Sequence, residues 1–139
     1  MSNSRHGTHS PFVYALAEKV IYKGQTKKYS GIVKYHRLAD EIANYFGVEY
    51  TSSPRDSGEA KALYLQDSDM SIDELADVQH DFCYIVLMGI YKENNRRRWR
   101  QVCDDERFIV TIDLFFFGLI FYRTAQPKEN FRLRFPFWR

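Results

Sequence analysis

Residues 82–88, Phe82-Cys83-Tyr84-Ile85-Val86-Leu87-Met88, form an unbroken apolar run. A short run of this kind suits a central strand covered on both faces, and such a strand needs helices above and below its sheet. The flanking sequence supplies them. Ser71, with Glu74 three residues later, is a capping box that opens a short helix through Leu75 and Val78. Beyond the run, a polar helix is predicted over about 92–103, with Trp99 and Val102 inward and most of its arginines outward.

The N-terminal third reads as two further helices. Ser10-Pro11 pairs an N-cap serine with proline at the first helical position, and Phe12, Leu16 and Val20 follow at helical spacing, giving a helix over about 11–22. A basic link, Lys23 to Lys28, leads to Ile32, Tyr35, Leu38, Ile42 and Tyr45-Phe46, a second amphipathic helix that Gly47 can end with a left-handed cap. The period then changes. Val48-Glu49-Tyr50-Thr51 is short and β-prone, residues 52–58 are almost all turn formers, and Ala62-Leu63-Tyr64-Leu65 reads as a buried strand. Near the C-terminus, Phe108 to Leu114 and Leu119 to Tyr122 bracket Phe115-Phe116-Phe117-Gly118, which predicts an antiparallel hairpin with glycine near its bend. The alternation Phe131-Arg132-Leu133-Arg134-Phe135 marks an edge strand. The expected fold is one α/β domain of 139 residues: a polar segment 1–10, two helices over 11–46 and a sheet-containing core over 47–135.

Several function classes lose support here. A net charge of +2 gives no whole-molecule attraction to nucleic acid or an anionic membrane, so any basic site must be local. No apolar stretch approaches the length of a membrane span, and the N-terminus lacks a secretory apolar region, so a cytoplasmic location is expected. Cys83 and Cys103 show no paired spacing and read as reduced thiols. His6 and His9 precede a helix start rather than lying on a helix face, and His36 and His80 read as surface residues, so no metal site is expected. Asp67, Asp69, Asp73, Glu74, Asp77 and Asp81 lack the glycine and terminal glutamate of a calcium loop and read as a solvated face. Arg96, Arg97, Arg98 and Arg100, around Trp99, are the best candidates for anion or nucleic-acid contact. Glycine-rich phosphate loops and nucleophile elbows are both missing from the sequence.

His6-Gly7-Thr8-His9-Ser10-Pro11-Phe12-Val13-Tyr14 resembles the opening of a group of bacterial class I S-adenosylmethionine-dependent methyltransferases typical of Bacteroidetes. The resemblance returns in Ile90-Tyr91, Trp99, the string Val110 to Phe121 and the tail Gln126-Pro127-Lys128-Glu129-Asn130-Phe131. It implies a reduced Rossmann-like methyltransferase sheet of about five strands, at about 47–51, 61–66, 82–88, 108–114 and 118–124. Their expected spatial order is first, second, third, fifth, fourth, with a parallel centre and a C-terminal antiparallel hairpin.

The sequence departs from that family where its chemistry lies. The glycine-rich turn after the first strand reads Val48-Glu49-Tyr50-Thr51-Ser52-Ser53, and the loop that follows is too short for two strand–helix units. The ribose-binding carboxylate has gone with them. Gln66 stands where the family has a strand-end aspartate, and Met88-Gly89 replaces a paired aspartate. Glu49, Thr51 and Asp67 are the vestigial cofactor-binding candidates. No catalytic residue and no cofactor are therefore expected, S-adenosylmethionine entering only if a partner subunit completes the pocket. The expectation is a non-catalytic interaction or structural protein, with a homodimer or protein partner held at an edge near 47–66. The alternatives are a partner-completed donor site and a phosphate or nucleic-acid module using the arginines.

Overall fold

The computed structural model describes residues 10–21 and 32–133. His6, His9, the link at 23–28 and Arg134-Phe135 lie outside the described residues. Six strands, β1 (Glu49–Thr51), β2 (Lys61–Gln66), β3 (Ile85–Met88), β4 (Val110–Asp113), β5 (Phe117–Phe121) and β6 (Glu129–Arg132), form one sheet ordered β1-β2-β3-β5-β4-β6. β1, β2 and β3 pair in parallel, as do β4 and β6, while β5 runs antiparallel to both its neighbours. The parallel centre, the hairpin and the expected order of the first five strands are all present, in an α/β Rossmann-like arrangement.

Local chemistry sets the helix ends. Helix α1 (Pro11–Leu16) starts where the Ser10 hydroxyl accepts from the Val13 amide, and it continues as a π-helical turn, Ala17–Ile21. Helix α2 (Ile32–Phe46) stops at Gly47, whose φ of +67° lets its amide reach the Asn44 carbonyl while Val48 reaches that of Ala43. The capping box forms as the sequence implies: Ser71 and Glu74 satisfy each other's amides at the start of α3 (Ile72–Val78). Helix α4 spans Glu93–Asp104.

The helices cover both faces of the sheet. Val13, Leu16 and Val20 with Leu38 and Ile42 pack on Tyr84, Val86, Ile112, Leu119 and Phe121. On the opposite face Leu75, Trp99 and Val102 pack on Leu63, Ile85, Leu87 and Ile120. β3 is buried along its whole length, as a strand covered on both faces must be. The edge strand β1 differs, because residues 52–60 carry the chain back to β2 without a crossover helix. Its composition matches: Tyr50 packs inward under α2, while Glu49 is exposed and Thr51 half-buried on the other face.

Three local expectations are corrected. The apolar run begins at Phe82, but the regular ladder of β3 begins at Ile85: Phe82 makes an isolated bridge to Gly58, and between them the Cys83 amide and the Tyr84 carbonyl bond Lys61 and Leu63. The last strand starts at Glu129, earlier than the alternation suggested, because Asn130 accepts from Thr111 Oγ1 (2.6 Å) and donates to the Cys103 carbonyl (2.9 Å), and this makes a sixth strand. Gly118 lies inside β5, paired with Asp113 and Leu87, while the bend is made by Leu114, Phe115 and Phe116. The glycine is needed for packing: a Cβ there would sit 2.5 Å from the Trp99 ring.

Gly118→Ala is expected to cost about 1–3 kcal/mol through overpacking, read by urea unfolding. A wild-type midpoint would contradict the Trp99 contact.

The two tyrosines under α2 give a second expectation. Tyr50 donates to the Ala39 carbonyl (2.7 Å) and shares a hydrogen bond with the Tyr84 hydroxyl (3.1 Å). Burial pushes Tyr50 up to about 12 and Tyr84 higher still. The folded chain keeps these protons above pH ~10, where unfolded tyrosines release theirs, so this contribution is complete below that pH and is lost as pH rises through about 12. Tyrosinate absorbance should show delayed ionisation that becomes smaller in Tyr50→Phe, and ionisation of every tyrosine at the ordinary pH would contradict it.

Candidate functional site

Open α/β sheets take ligands beyond the carboxyl ends of their strands, where the strand order reverses. Here β1 is the outermost strand and β1, β2 and β3 advance in one direction, so no reversal flanks β1. The carboxyl ends of these strands are the first place to look. At β1, Thr51 is half-buried and its hydroxyl accepts from the Ser53 amide, while Glu49 is exposed and in register with Lys61. Lys61 itself bonds Asp56 at 3.0 Å, holding the loop against β2 and lowering the Asp56 pKa. At β2, Gln66 and Asp67 are exposed, Asp67 with φ +56°.

The end of β3 is built for structure. Met88 is buried in the α1–α2 core. Gly89, at φ +72°, donates to the Phe116 carbonyl (2.8 Å), and its own carbonyl accepts from Asn95 (3.1 Å) and from the Lys92 amide (3.1 Å). Met88 and Gly89 thus anchor the core and turn the chain into α4. Between the ends of β2 and β3 and helix α4, the space lined by Leu65, Ser68, Leu87 and Trp99 measures about 20 Å³, room for one water. Arg98 closes it by donating to the Ser68 and Met70 carbonyls, and loss of solvent pushes its pKa down.

The four arginines do not converge. Arg98 serves the 68–70 loop, Arg96 turns to Asp113 (3.7 Å), and Arg97 and Arg100 remain exposed. Trp99 is buried, as expected. The acidic stretch is an exposed face, as expected, and two of its members have local partners. Glu74 caps α3, and Asp73 pairs with Arg107 (2.9 Å), which also grips Asp105 (2.7 Å) and holds that carboxyl down at about 2. Among the described residues, no group of three acidic, histidine or cysteine side chains could hold a metal. Cys83 and Cys103 are unpaired and half-buried, and burial pushes both thiols up, away from nucleophilic use. His36 packs edge-on to Phe116 and His80 to Tyr122.

Sequence reasoning missed a different cluster, at the end of β4. Asp113 is 6% exposed; its Oδ1 accepts from the Phe115 amide (2.7 Å) and its Oδ2 faces Arg96 and Arg132 at 3.7 and 3.9 Å. The bend that follows it carries a series of near-parallel rings, Tyr35 on Phe116, Phe116 on Tyr91 and Tyr91 on Phe115, with centroids 5.1–5.4 Å apart. The available signal was three consecutive phenylalanines in a bend, which cannot all face one core.

Comparison with family models, with curated proteins and with solved structures finds no match to this chain.

Arg98→Ala, which strands two carbonyls, should destabilise the fold by about 1–3 kcal/mol in chemical denaturation. Arg97→Ala and Arg100→Ala should stay within about 0.5 kcal/mol of wild type. Equal effects at all three positions would refute the assignment of Arg98 to the loop.

Proposed function

We propose that this chain is a non-catalytic, methyltransferase-like α/β domain that acts by binding a partner rather than by transferring a group. The observation that carries this reading is how little space remains at the carboxyl ends of β2 and β3. At about 20 Å³ it is far below the roughly 300 Å³ at which small-molecule and cofactor sites begin, and an arginine fills its mouth. A donor would also need glycine backbone and paired carboxylates there; the residues present are Thr51, Gln66, Met88 and a glycine that serves a turn, with Asp67 the one carboxylate lining the space.

The segments behind the methyltransferase resemblance support the reading from another side, because they meet in space. The Ser10 hydroxyl lies 3.2 Å from Gln126 Oε1, and Phe12 packs against Phe121 (4.8 Å) and under the Arg123 guanidinium (4.0 Å). Residues of the opening and closing motifs thus form a joint of the fold, a role that needs no cofactor. A partner contact fits the open β1 edge, but β2 is internal, so the edge near 47–66 narrows to Glu49–Thr51 and its loop.

Titration calorimetry with S-adenosylmethionine and S-adenosylhomocysteine is expected to show no saturable heat. Saturation in the micromolar range would overturn the reading and favour a donor site completed by a second subunit. In the same preparation, three residues of edge pairing should give only a weak dimer, detected by light scattering at high concentration. A monomer at every concentration would remove the β1 edge as a self-association surface.

A further inference from the structure

The ring stack at the end of β4 ends in an aromatic face turned to solvent. Phe115 is 51% exposed and Tyr91 is 38% exposed, and Tyr91 lies on one side of Phe115 with interplanar angle 24°. Phe115 also holds φ +71°, a left-handed conformation that is a rare outlier for a bulky side chain. Two contacts keep it there: its own amide bonds Asp113, and the next amide, that of Phe116, closes back on the Leu114 carbonyl at 2.8 Å. A glycine or asparagine would satisfy this bend without strain. Phenylalanine at this place exposes a ring in a fixed orientation, and observed strain of this kind is a reason to look for function.

The charges joined to Phe115 through Asp113 favour an anion. Two guanidiniums face a single carboxylate, and at 3.7 and 3.9 Å neither makes a close hydrogen-bonded pair with it. Arg132 is 63% exposed, so its fork is open to a ligand, and Arg96 is held beside it by α4. A planar, anionic ligand therefore matches both elements. Phe115, Tyr91 and Arg132 are all exposed, so a free nucleotide lying on them would keep much of its area in water. A polymer that adds contacts along its length fits an open platform better.

We infer that the exposed end of the Tyr35–Phe116–Tyr91–Phe115 stack is a platform for the unpaired bases of a single-stranded nucleic acid, with Arg96 and Arg132 meeting its phosphates. This site differs from the helical arginine cluster considered from the sequence, since it takes one arginine from α4 and one from β6. It is independent of donor binding, so the calorimetric test above can fail or succeed without deciding it.

Fluorescence anisotropy with a labelled oligothymidine tests it. The wild-type chain should bind the single strand, with affinity falling as salt rises, and should bind a blunt duplex of equal length more weakly. Phe115→Leu, which keeps an apolar side chain but removes the π face, should weaken binding about 10-fold, and Phe115→Tyr should restore it. Arg132→Gln should weaken binding and flatten the salt dependence. Circular dichroism of each variant confirms that the fold is retained. No binding by the wild type, equal affinity for the duplex, or unchanged affinity in Phe115→Leu would each overturn the proposal.

Discussion

The missing Cβ at Gly118 sets how closely α4 can approach the sheet. It lets the Trp99 ring lie directly on β5, and that contact fixes the height and rotation of α4 above the sheet. Once Trp99 is seated, Arg96 one turn earlier falls beside Asp113, and Arg98 on the neighbouring face reaches the loop after β2. The narrow space at the ends of β2 and β3 and the placing of Arg96 beside Asp113 at the end of β4 therefore share one packing origin. A helix standing one side-chain layer further out would widen the first and undo the second.

The same economy is visible at the outer strand. A parallel strand buried on both faces reads as continuous apolar sequence, as β3 does. β1 is less buried, and its sequence alternates to suit: Tyr50 is tied to Ala39 and Tyr84, with polar neighbours on either side. The strand is three residues long and is followed by a loop containing Pro54 and the Lys61–Asp56 bond. Short length and proline are common means by which sheets limit pairing at an open edge.

Much of the fold was legible because it depends on local rules. Ser10, Gly47 and the Ser71–Glu74 pair specify helix ends through contacts within a few residues, and the run ending at Met88 needs two covered faces wherever it lies. The strand order came from the methyltransferase resemblance, and the topology agrees with that order. What could not be read depends on partners distant in sequence. Gly118 looks like a turn residue until Trp99 is placed above it. Lys128 and Asn130 look like loop residues until the Phe108 and Cys103 carbonyls are found waiting for them. The arginine cluster shows the reverse error. At 3.6 residues per turn, adjacent helical positions point about 100° apart, so a run of arginines in sequence is dispersed in space. The candidate platform was least legible of all, since Tyr35, Tyr91 and Phe115 belong to three separate segments.

The helixless link between β1 and β2 also bears on how the sheet assembles. Parallel strands ordinarily meet only after a long crossover has been ordered, and that closure entropy slows their pairing. Here Glu49 finds Lys61 across a short loop, the most local of the three parallel pairings in the sheet. The edge that is poorest in buried surface is thus the cheapest in chain entropy to close. The long-range work of folding shifts to β5, which must enter between β3 and β4 and run against both.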